Sequence, residues 1–340
     1  MPEPAASDTR PAPGPAAAAP APGPVPAPVQ PPGLPDPLPS AAVPSLALFP
    51  GFVARQVPVA EGVSLRVLSG GEGPPLLLLH GHPQTHAIWH RVAPALARRF
   101  QVIAPDLRGY GESAKPPGGA DHAAYAKRAM AADLVALMRA FGHARFDVLA
   151  HDRGARVTHR LALDHPQALR RAALLDIAPT LDMYAGTTEA YARAYWHWFF
   201  LIQPAPLPER LIEADPGAYV REVIGNRVGL APFDPRALAE YARCLALPGS
   251  AHGLCEDYRA AAGIDLEHDR ADRAAGRRVE APLLVLWGAE GIVQRCFDPL
   301  ALWRAVAREV RGQALPCGHY LPEEAPDALL AQVLPFFGEA

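Results

Sequence analysis

Val148-Leu149-Ala150-His151-Asp152-Arg153-Gly154-Ala155-Arg156 brings a carboxylate, an imidazole and two guanidinium groups together in one short stretch. The apolar run ending at Ala150 breaks off at His151-Asp152, and a helix-forming segment with Gly154 on its first turn follows. That pattern predicts a strand, a sharp turn and a helix, the nucleophile elbow that lifts one side chain above the end of a sheet. The familiar elbow reads G-x-S-x-G; here Ala150-His151-Asp152-Arg153-Gly154 carries a carboxylate instead. The change of atom decides the chemistry. Serine attacking a saturated carbon would leave an ether, which water cleaves with difficulty, whereas a carboxylate leaves an ester that water can hydrolyse. An aspartate elbow therefore predicts displacement at an sp3 carbon rather than acyl transfer. The competing reading is a helix cap, since aspartate is a good N-cap residue. Residues further along the chain must decide.

Asp176 lies near the end of the apolar segment Ala172 to Ile177, and His319 lies in Cys317-Gly318-His319-Tyr320, after another strand-like segment. The order nucleophile, acid, histidine is that of a hydrolase triad mounted on an α/β sheet. In the commonest arrangement the acid follows the strand ending at Trp287-Gly288, near Gly291. A glycine stands there with Glu290 beside it, so the orienting acid is assigned to Asp176, with Glu290 as the alternative. A histidine with an ordinary pKa near ~6.5 is suited to accept a proton from water at neutral pH.

The elements that must position these residues follow from pattern. The chain has 340 residues, half of them hydrophobic, and a net charge of -3, enough for a sizeable core or a core with an insertion. No basic stripe marks a nucleic-acid surface, and no apolar run approaches the ~20 residues of a membrane span. Cys244, Cys255, Cys296 and Cys317 are scattered without paired metal spacing, which fits a reducing cytoplasm. Residues 1 to about 46 are mostly Pro, Ala and Gly, a composition that predicts disorder or polyproline II. A signal peptide is the rival reading, but a continuous apolar core is missing. Strands are expected at Val63 to Leu68, Leu76 to Leu79, Phe100 to Pro105, Phe146 to Ala150, Ala172 to Ile177, Pro282 to Trp287 and Val310 to Leu315. Helices are expected at Tyr125 to Phe141, Arg153 to His165, Leu300 to Arg308 and Glu324 to Phe337. From Pro179 to Arg278 the alternation gives way to a helical, aromatic-rich segment. The expected architecture is an α/β core (47–178 and 279–340), mostly parallel with helices on both faces. A helical cap (179–278) lies over the C-terminal strand ends.

Two motifs are set aside. His82, His86 and His90 imitate a metal site by their four-residue spacing, but no acid lies close in sequence and His82 precedes Pro83. The glycine-rich turn Asp106 to Ser113 lacks the Gly-Lys-Ser/Thr ending of a phosphate loop.

Several separated motifs now fall into one order: His151-Asp152-Arg153-Gly154-Ala155-Arg156, Leu175-Asp176-Ile177, Tyr195-Trp196-His197-Trp198-Phe199-Phe200, Gln203 to Glu209, Cys255-Glu256-Asp257-Tyr258-Arg259 and Gly318-His319. In this the chain from Leu48 to Phe337 closely resembles the haloacetate (fluoroacetate) dehalogenases of the alpha/beta-hydrolase superfamily. The resemblance implies Asp152 as nucleophile, His319 as general base and Asp176 as the acid that orients it. It implies Arg153 and Arg156 as the clamp for the substrate carboxylate, since guanidinium forks bind carboxylates bidentately. It implies His197, Trp198 and Tyr258 as halide donors, and backbone N–H groups of His82 and Arg153 as the oxyanion site. Without it, the aromatic cluster from Trp196 to Phe200 reads as ordinary cap core.

A haloacid would be the small-molecule substrate and glycolate the product from a haloacetate, with no metal and no organic cofactor required. Family members resemble homodimers, although no stretch of this sequence marks an interface. The chain departs from its relatives at Ala150, where glycine is usual, and at His82, where phenylalanine is common. No tryptophan occurs between Trp198 and Trp287, and Ile224 to Ala231 looks shortened. These changes bear on pocket size and on whether fluoride can leave. An epoxide hydrolase is the nearest rival, using the same triad with Tyr258 or Tyr191 to protonate the opening ring. A non-catalytic ligand receptor on a hydrolase fold is the rival from another class.

Overall fold

The computed structural model describes residues 33–339. Eight strands form one sheet: β1 (Val53–Ala60), β2 (Val63–Gly70), β3 (Pro75–Leu79), β4 (Gln101–Pro105), β5 (Phe146–His151), β6 (Leu169–Leu175), β7 (Leu283–Gly288) and β8 (Val310–Leu315). Their order is β1-β2-β4-β3-β5-β6-β7-β8. β2 pairs antiparallel with β1 and with β4, and the remaining pairs are parallel. The short apolar runs explain the centre of this sheet. Leu76 to Leu79 are fully buried and β5 is buried along its length, as strands covered on both faces must be. The chain leaves β3 toward β4 on one side and returns to β5 on the other. The C-terminal ends of β3 and β5 therefore form a topological switch point, where ligands bind in such sheets.

The elbow stands at that point. β5 ends at His151 and a helix starts at once, Asp152–Asp164. The turn is too sharp for ordinary backbone, and Asp152 takes a left-handed φ of 43°. For a residue with a Cβ such a conformation costs roughly 1–3 kcal/mol and persists only where the surroundings enforce it. Close packing enforces it here. A Cβ on Gly154 would lie 2.5 Å from Leu79 Cβ and 2.6 Å from the His80 carbonyl oxygen, and one on Gly81 would lie 2.4 Å from Asp152 Cβ. The Gly154 N–H also donates to the His80 carbonyl at 2.9 Å. Ala150, which replaces the usual glycine, sits in register with Leu79 and Leu174 inside the sheet, where a methyl group fits.

Between β6 and β7 the chain forms eight helices, from Thr180 to Ala274, and no strand. Three expected helices differ at their ends, one of them Leu300 to Arg308, which is observed as Pro299–Val306. The first begins at Lys127 rather than Tyr125, because Ala126 is extended and a single 3-10 turn, Ala123–Tyr125, precedes it. The last is divided into Leu321–Glu324 and Pro326–Gly338, since Ala325 precedes proline and leaves the helical region. Among the described residues no helix is long and apolar enough to cross a membrane.

The tail expected to stay unpacked to residue 46 needs correcting. Residues 1–32 lie outside the described residues, but from Gly33 onward the chain packs on the core. Leu34 and Val43 are buried, Leu38 N–H donates to the Ala54 carbonyl at 2.8 Å, and Ser45 Oγ bonds His86 Nε2 at 2.8 Å. A few apolar residues spaced among prolines suffice once a surface is there to receive them.

The elbow packing makes a prediction. Alanine at 154 would gain about 1 kcal/mol of helix propensity, but its methyl group meets backbone, and overpacking of this kind costs typically ~1–3 kcal/mol. We expect Gly154→Ala to lower the urea unfolding free energy by about 1–2 kcal/mol; a gain in stability would show that the elbow is not tightly packed.

Candidate active site

Asp152 projects from the elbow and is 3% exposed. It is the first residue of its helix and not its cap, for the N-cap position is His151. Its Oδ1 instead accepts the backbone N–H of His82, from the loop after β3, at 3.0 Å. Burial alone would push its carboxyl up. His319, Arg156, Arg153 and His151 together outweigh that and hold it well below the usual carboxylate range. Among the described residues Asp152 nevertheless makes no ion pair, so the carboxylate is charged and unbridged.

Asp176 follows β6 with a left-handed φ of 51°. Its Oδ2 meets His319 Nδ1 at 2.5 Å, and its Oδ1 accepts the Gly288 N–H at 2.9 Å. Glu290 is exposed, whereas a Cβ on Gly291 would lie 3.4 Å from Asp176 Oδ1. The carboxylate thus reaches the place of the commoner acid from the neighbouring strand, and Glu290 is not the partner of His319. His151 braces the same loop, its Nε2 bonding the His319 carbonyl at 2.9 Å and its ring 4.7 Å from the His319 ring. Burial, with His319 alongside, pushes His151 down to about 3, so it stays neutral.

Both arginines lie at the elbow, but not as open forks. Arg153 is wholly buried and spends its fork on Asp257, with Nε to Oδ2 at 2.7 Å and Nη2 to Oδ1 at 2.9 Å. Arg156 gives Nη1 to Thr180 Oγ1 at 3.0 Å and Nη2 to Met183 Sδ at 3.2 Å. One nitrogen on each has no partner, Arg153 Nη1 and Arg156 Nε. Neither arginine therefore presents the open bidentate fork that the resemblance implies; each keeps one nitrogen without a partner.

The aromatic donors converge on the same place. The Arg153 guanidinium lies over the Tyr258 ring at 4.1 Å, and that of Arg156 over Trp198 at 4.6 Å. His82 stacks on His197 at 5.4 Å and meets the Tyr258 ring edge-on at 5.3 Å. Trp198 Nε1 and the Tyr258 hydroxyl are buried without a partner. Burial, reinforced by Asp152, pushes the Tyr258 phenol well up, so it remains a donor. A pocket of about 280 Å³ between the cap helices and the end of the sheet reaches His197 and His319, with Arg193, Trp196, Glu290 and Arg295 also lining it.

The three spaced histidines point to separate partners: His82 Nε2 to the Tyr219 hydroxyl, His86 Nδ1 to Asp106 Oδ1, and His90 Nδ1 to the Ala87 carbonyl. Asp106, remote in sequence, is the acid that the local reading does not supply. Among the described residues no group of three or more His, Cys, Asp or Glu could hold a metal ion.

Sequence reasoning did not find Asp257 or Glu323. The first sits beside Tyr258 in a motif already singled out. The second is fully buried, accepting from Gln84 Nε2 at 2.5 Å and from the Tyr241 hydroxyl at 3.0 Å. It thereby joins the loop after β3, a cap helix and the segment following His319.

Residues 74–326 match the family described as alpha/beta hydrolase fold, and the chain belongs to that family. It is 44% identical to the fluoroacetate dehalogenase of a Burkholderia species, over 86% of this chain and 96% of that protein. It is 34% identical to the soluble epoxide hydrolase of Corynebacterium sp. (strain C12), over 82% of this chain and 94% of that one. A crystal structure described as an alpha/beta hydrolase from Nostoc sp. PCC 7120 superimposes with a TM-score of 0.83 at 51% identity, covering 85% of this chain and 99% of the other.

Burial pushes the Glu323 carboxyl up to about 8, so folding favours its protonated form. Its contribution is complete below the unfolded carboxyl pKa of roughly 4.3. Above that it is lost progressively as pH rises through the folded value, because only the unfolded state has released the proton. We expect Glu323→Gln to gain stability relative to wild type between pH 5 and pH 8 (about 1–3 kcal/mol), measured by urea unfolding at each pH. A constant difference across that range would contradict a protonated Glu323.

Proposed function

We propose that the chain hydrolyses the carbon–halogen bond of haloacetates through an ester on Asp152. One observation carries this reading: a buried, ionised and unbridged carboxylate at an elbow, flanked by two arginines that each keep one nitrogen without a partner. The identity to a fluoroacetate dehalogenase over nearly its whole length supports it.

Arg153 Nη1 and Arg156 Nε hold the substrate carboxylate, which turns the halogen-bearing carbon toward Asp152. Asp152 Oδ2 attacks that carbon from the side opposite the halogen, since Oδ1 is held by the His82 N–H. The new C–O bond forms as the carbon–halogen bond breaks, and the halide leaves toward His197, Trp198 Nε1 and the Tyr258 hydroxyl. Hydrogen bonds to a charged acceptor contribute roughly 1.5–3 kcal/mol each. Three of them formed as charge develops would lower the barrier substantially. His319, oriented by Asp176, then takes a proton from water, and the hydroxide adds to the ester carbonyl. Backbone N–H groups of His82 and Arg153 stabilise the oxyanion. On collapse the departing alkoxide takes the proton from His319 to give glycolate, and Asp152, freed as its acid, loses the remaining water proton to solvent and returns to the carboxylate. Every step uses groups of this chain and water.

An epoxide hydrolase is the second reading, because the Tyr191 and Tyr258 hydroxyls are both buried without partners and a relative with that activity aligns over most of the chain. A neutral epoxide, however, has no carboxylate to accept from Arg153 Nη1 and Arg156 Nε, and these buried donors would stay without partners. A ligand receptor without turnover would have no use for the Asp176–His319 pair.

Wild-type protein should release halide from chloroacetate with multiple turnovers and form no diol from styrene oxide; the reverse result would establish the epoxide reading. Asp152→Asn should reduce halide release by on the order of a thousandfold or more. His319→Asn should carry out the first half-reaction and retain the added carboxymethyl mass. An unmodified protein mass after substrate treatment would count against the ester.

A further inference from the structure

The fork of Arg153 closes on a carboxylate that belongs to the cap. Asp257 lies on the cap helix Ser250–Ala262 and accepts from Arg153 Nε at 2.7 Å and Nη2 at 2.9 Å, while its carbonyl takes a third bond from Nη2 at 3.0 Å. The Tyr110 hydroxyl donates to Asp257 Oδ2 at 2.6 Å, and the Lys127 ammonium pairs with Oδ1. Lys127 also reaches Asp265 Oδ2 at 3.2 Å. Asp257 and Arg153 are both fully shielded from solvent.

Charge in this cluster is balanced. Lys127 and Arg153 supply two positive charges, and Asp257 and Asp265 supply two negative ones. Next to it in the chain stands Asp152, which Arg153 follows directly. An arginine beside a buried carboxylate is its natural bidentate partner, and such a bridge is among the stronger hydrogen-bonded pairs available to it. Bridging both oxygens would stabilise the carboxylate and reduce its nucleophilicity. The structure shows no such bridge: the fork is already filled, and among the described residues Asp152 is in no ion pair.

We propose that Asp257 is a positioning residue that occupies the fork of Arg153 and so keeps the Asp152 carboxylate free to attack. The inference rests on the reading of Asp152 as a nucleophile. Arg153 is left with one donor, Nη1, for the substrate. Neutralising Asp257 leaves one uncompensated positive charge in a buried cluster, and Asp152 is a carboxylate on which the Arg153 charge already acts. Asp257 lies on a helix between β6 and β7, while Arg153, Lys127 and Tyr110 belong to the rest of the chain, so the filled fork ties the two parts together.

The test isolates the first half-reaction. In a His319→Asn background the ester accumulates, and quenched samples read by intact-protein mass give its rate of formation and the chloroacetate concentration for half-saturation. Adding Asp257→Asn should slow ester formation at saturating chloroacetate by about tenfold or more, with half-saturation changed by less than about threefold. Asp257→Glu, which keeps the charge and moves the fork by one methylene group, should fall between. A loss confined to half-saturation would make Asp257 a substrate-binding aid only, and would overturn the proposal. So would equal losses for Asn and Glu, which mark a packing role, or rates equal to the parent. Should the asparagine variant not fold, the glutamate variant is read alone: slower ester formation at unchanged half-saturation supports the proposal, and an unchanged rate refutes it. Absence of ester in the His319→Asn parent would instead sink the dehalogenase reading, and the proposal with it.

Discussion

The structure depends on keeping one carboxylate charged, buried and unbridged at a backbone corner. Three demands conflict in that arrangement. Burial favours neutral Asp152, adjacent cations favour the ionised form, and the same cations would bridge it if their forks were open. The conflict is resolved by giving each guanidinium other partners: Asp257 for Arg153, and Thr180 with Met183 for Arg156. The field of both arginines then acts on Asp152 without a direct contact from either. The left-handed corner is held by two glycines packed to within backbone distance of β3 and the elbow, so its strain is offset by the sheet rather than by the site.

The sheet carries Asp152 at the end of β5, Asp176 after β6 and the His82 N–H after β3. The helices between β6 and β7 supply His197, Trp198, Tyr258 and Asp257. Polar atoms from the two parts meet in a buried region, where each hydrogen bond or charge acts through a low dielectric. Glu323 adds a neutral link between them, since a protonated carboxyl can join Gln84, Tyr241 and the segment after His319 without introducing a buried charge.

Much of this was legible in the sequence because it is local. A continuous run such as Leu76 to Leu79 suits a strand covered on both faces. The break at His151-Asp152 before Gly154 suits a tight strand-to-helix turn. Asp176 could be chosen over Glu290 because a glycine at 291 left the usual position empty, and the 2.5 Å contact to His319 agrees. What escaped is non-local. Asp257 meets Arg153 from 104 residues away, and Glu323 meets Gln84 from 239 away; no spacing rule links such pairs. The prolines and alanines before residue 47 were read by composition, which counts apolar surface but does not know that Leu34 and Val43 have a ready surface to cover. The forks of Arg153 and Arg156 were read by residue type, which gives the donors a side chain owns and not those it has left.

The central claim is that the oxygen of Asp152 becomes the new bond to carbon. A single turnover of chloroacetate with excess enzyme in heavy-oxygen water, followed by mass analysis of the glycolate and of the peptide containing Asp152, tests it directly. The account predicts unlabelled glycolate and one heavy oxygen in the Asp152 carboxyl. Heavy oxygen in the glycolate, with none in that peptide, would mean that water attacks the substrate itself and would contradict it.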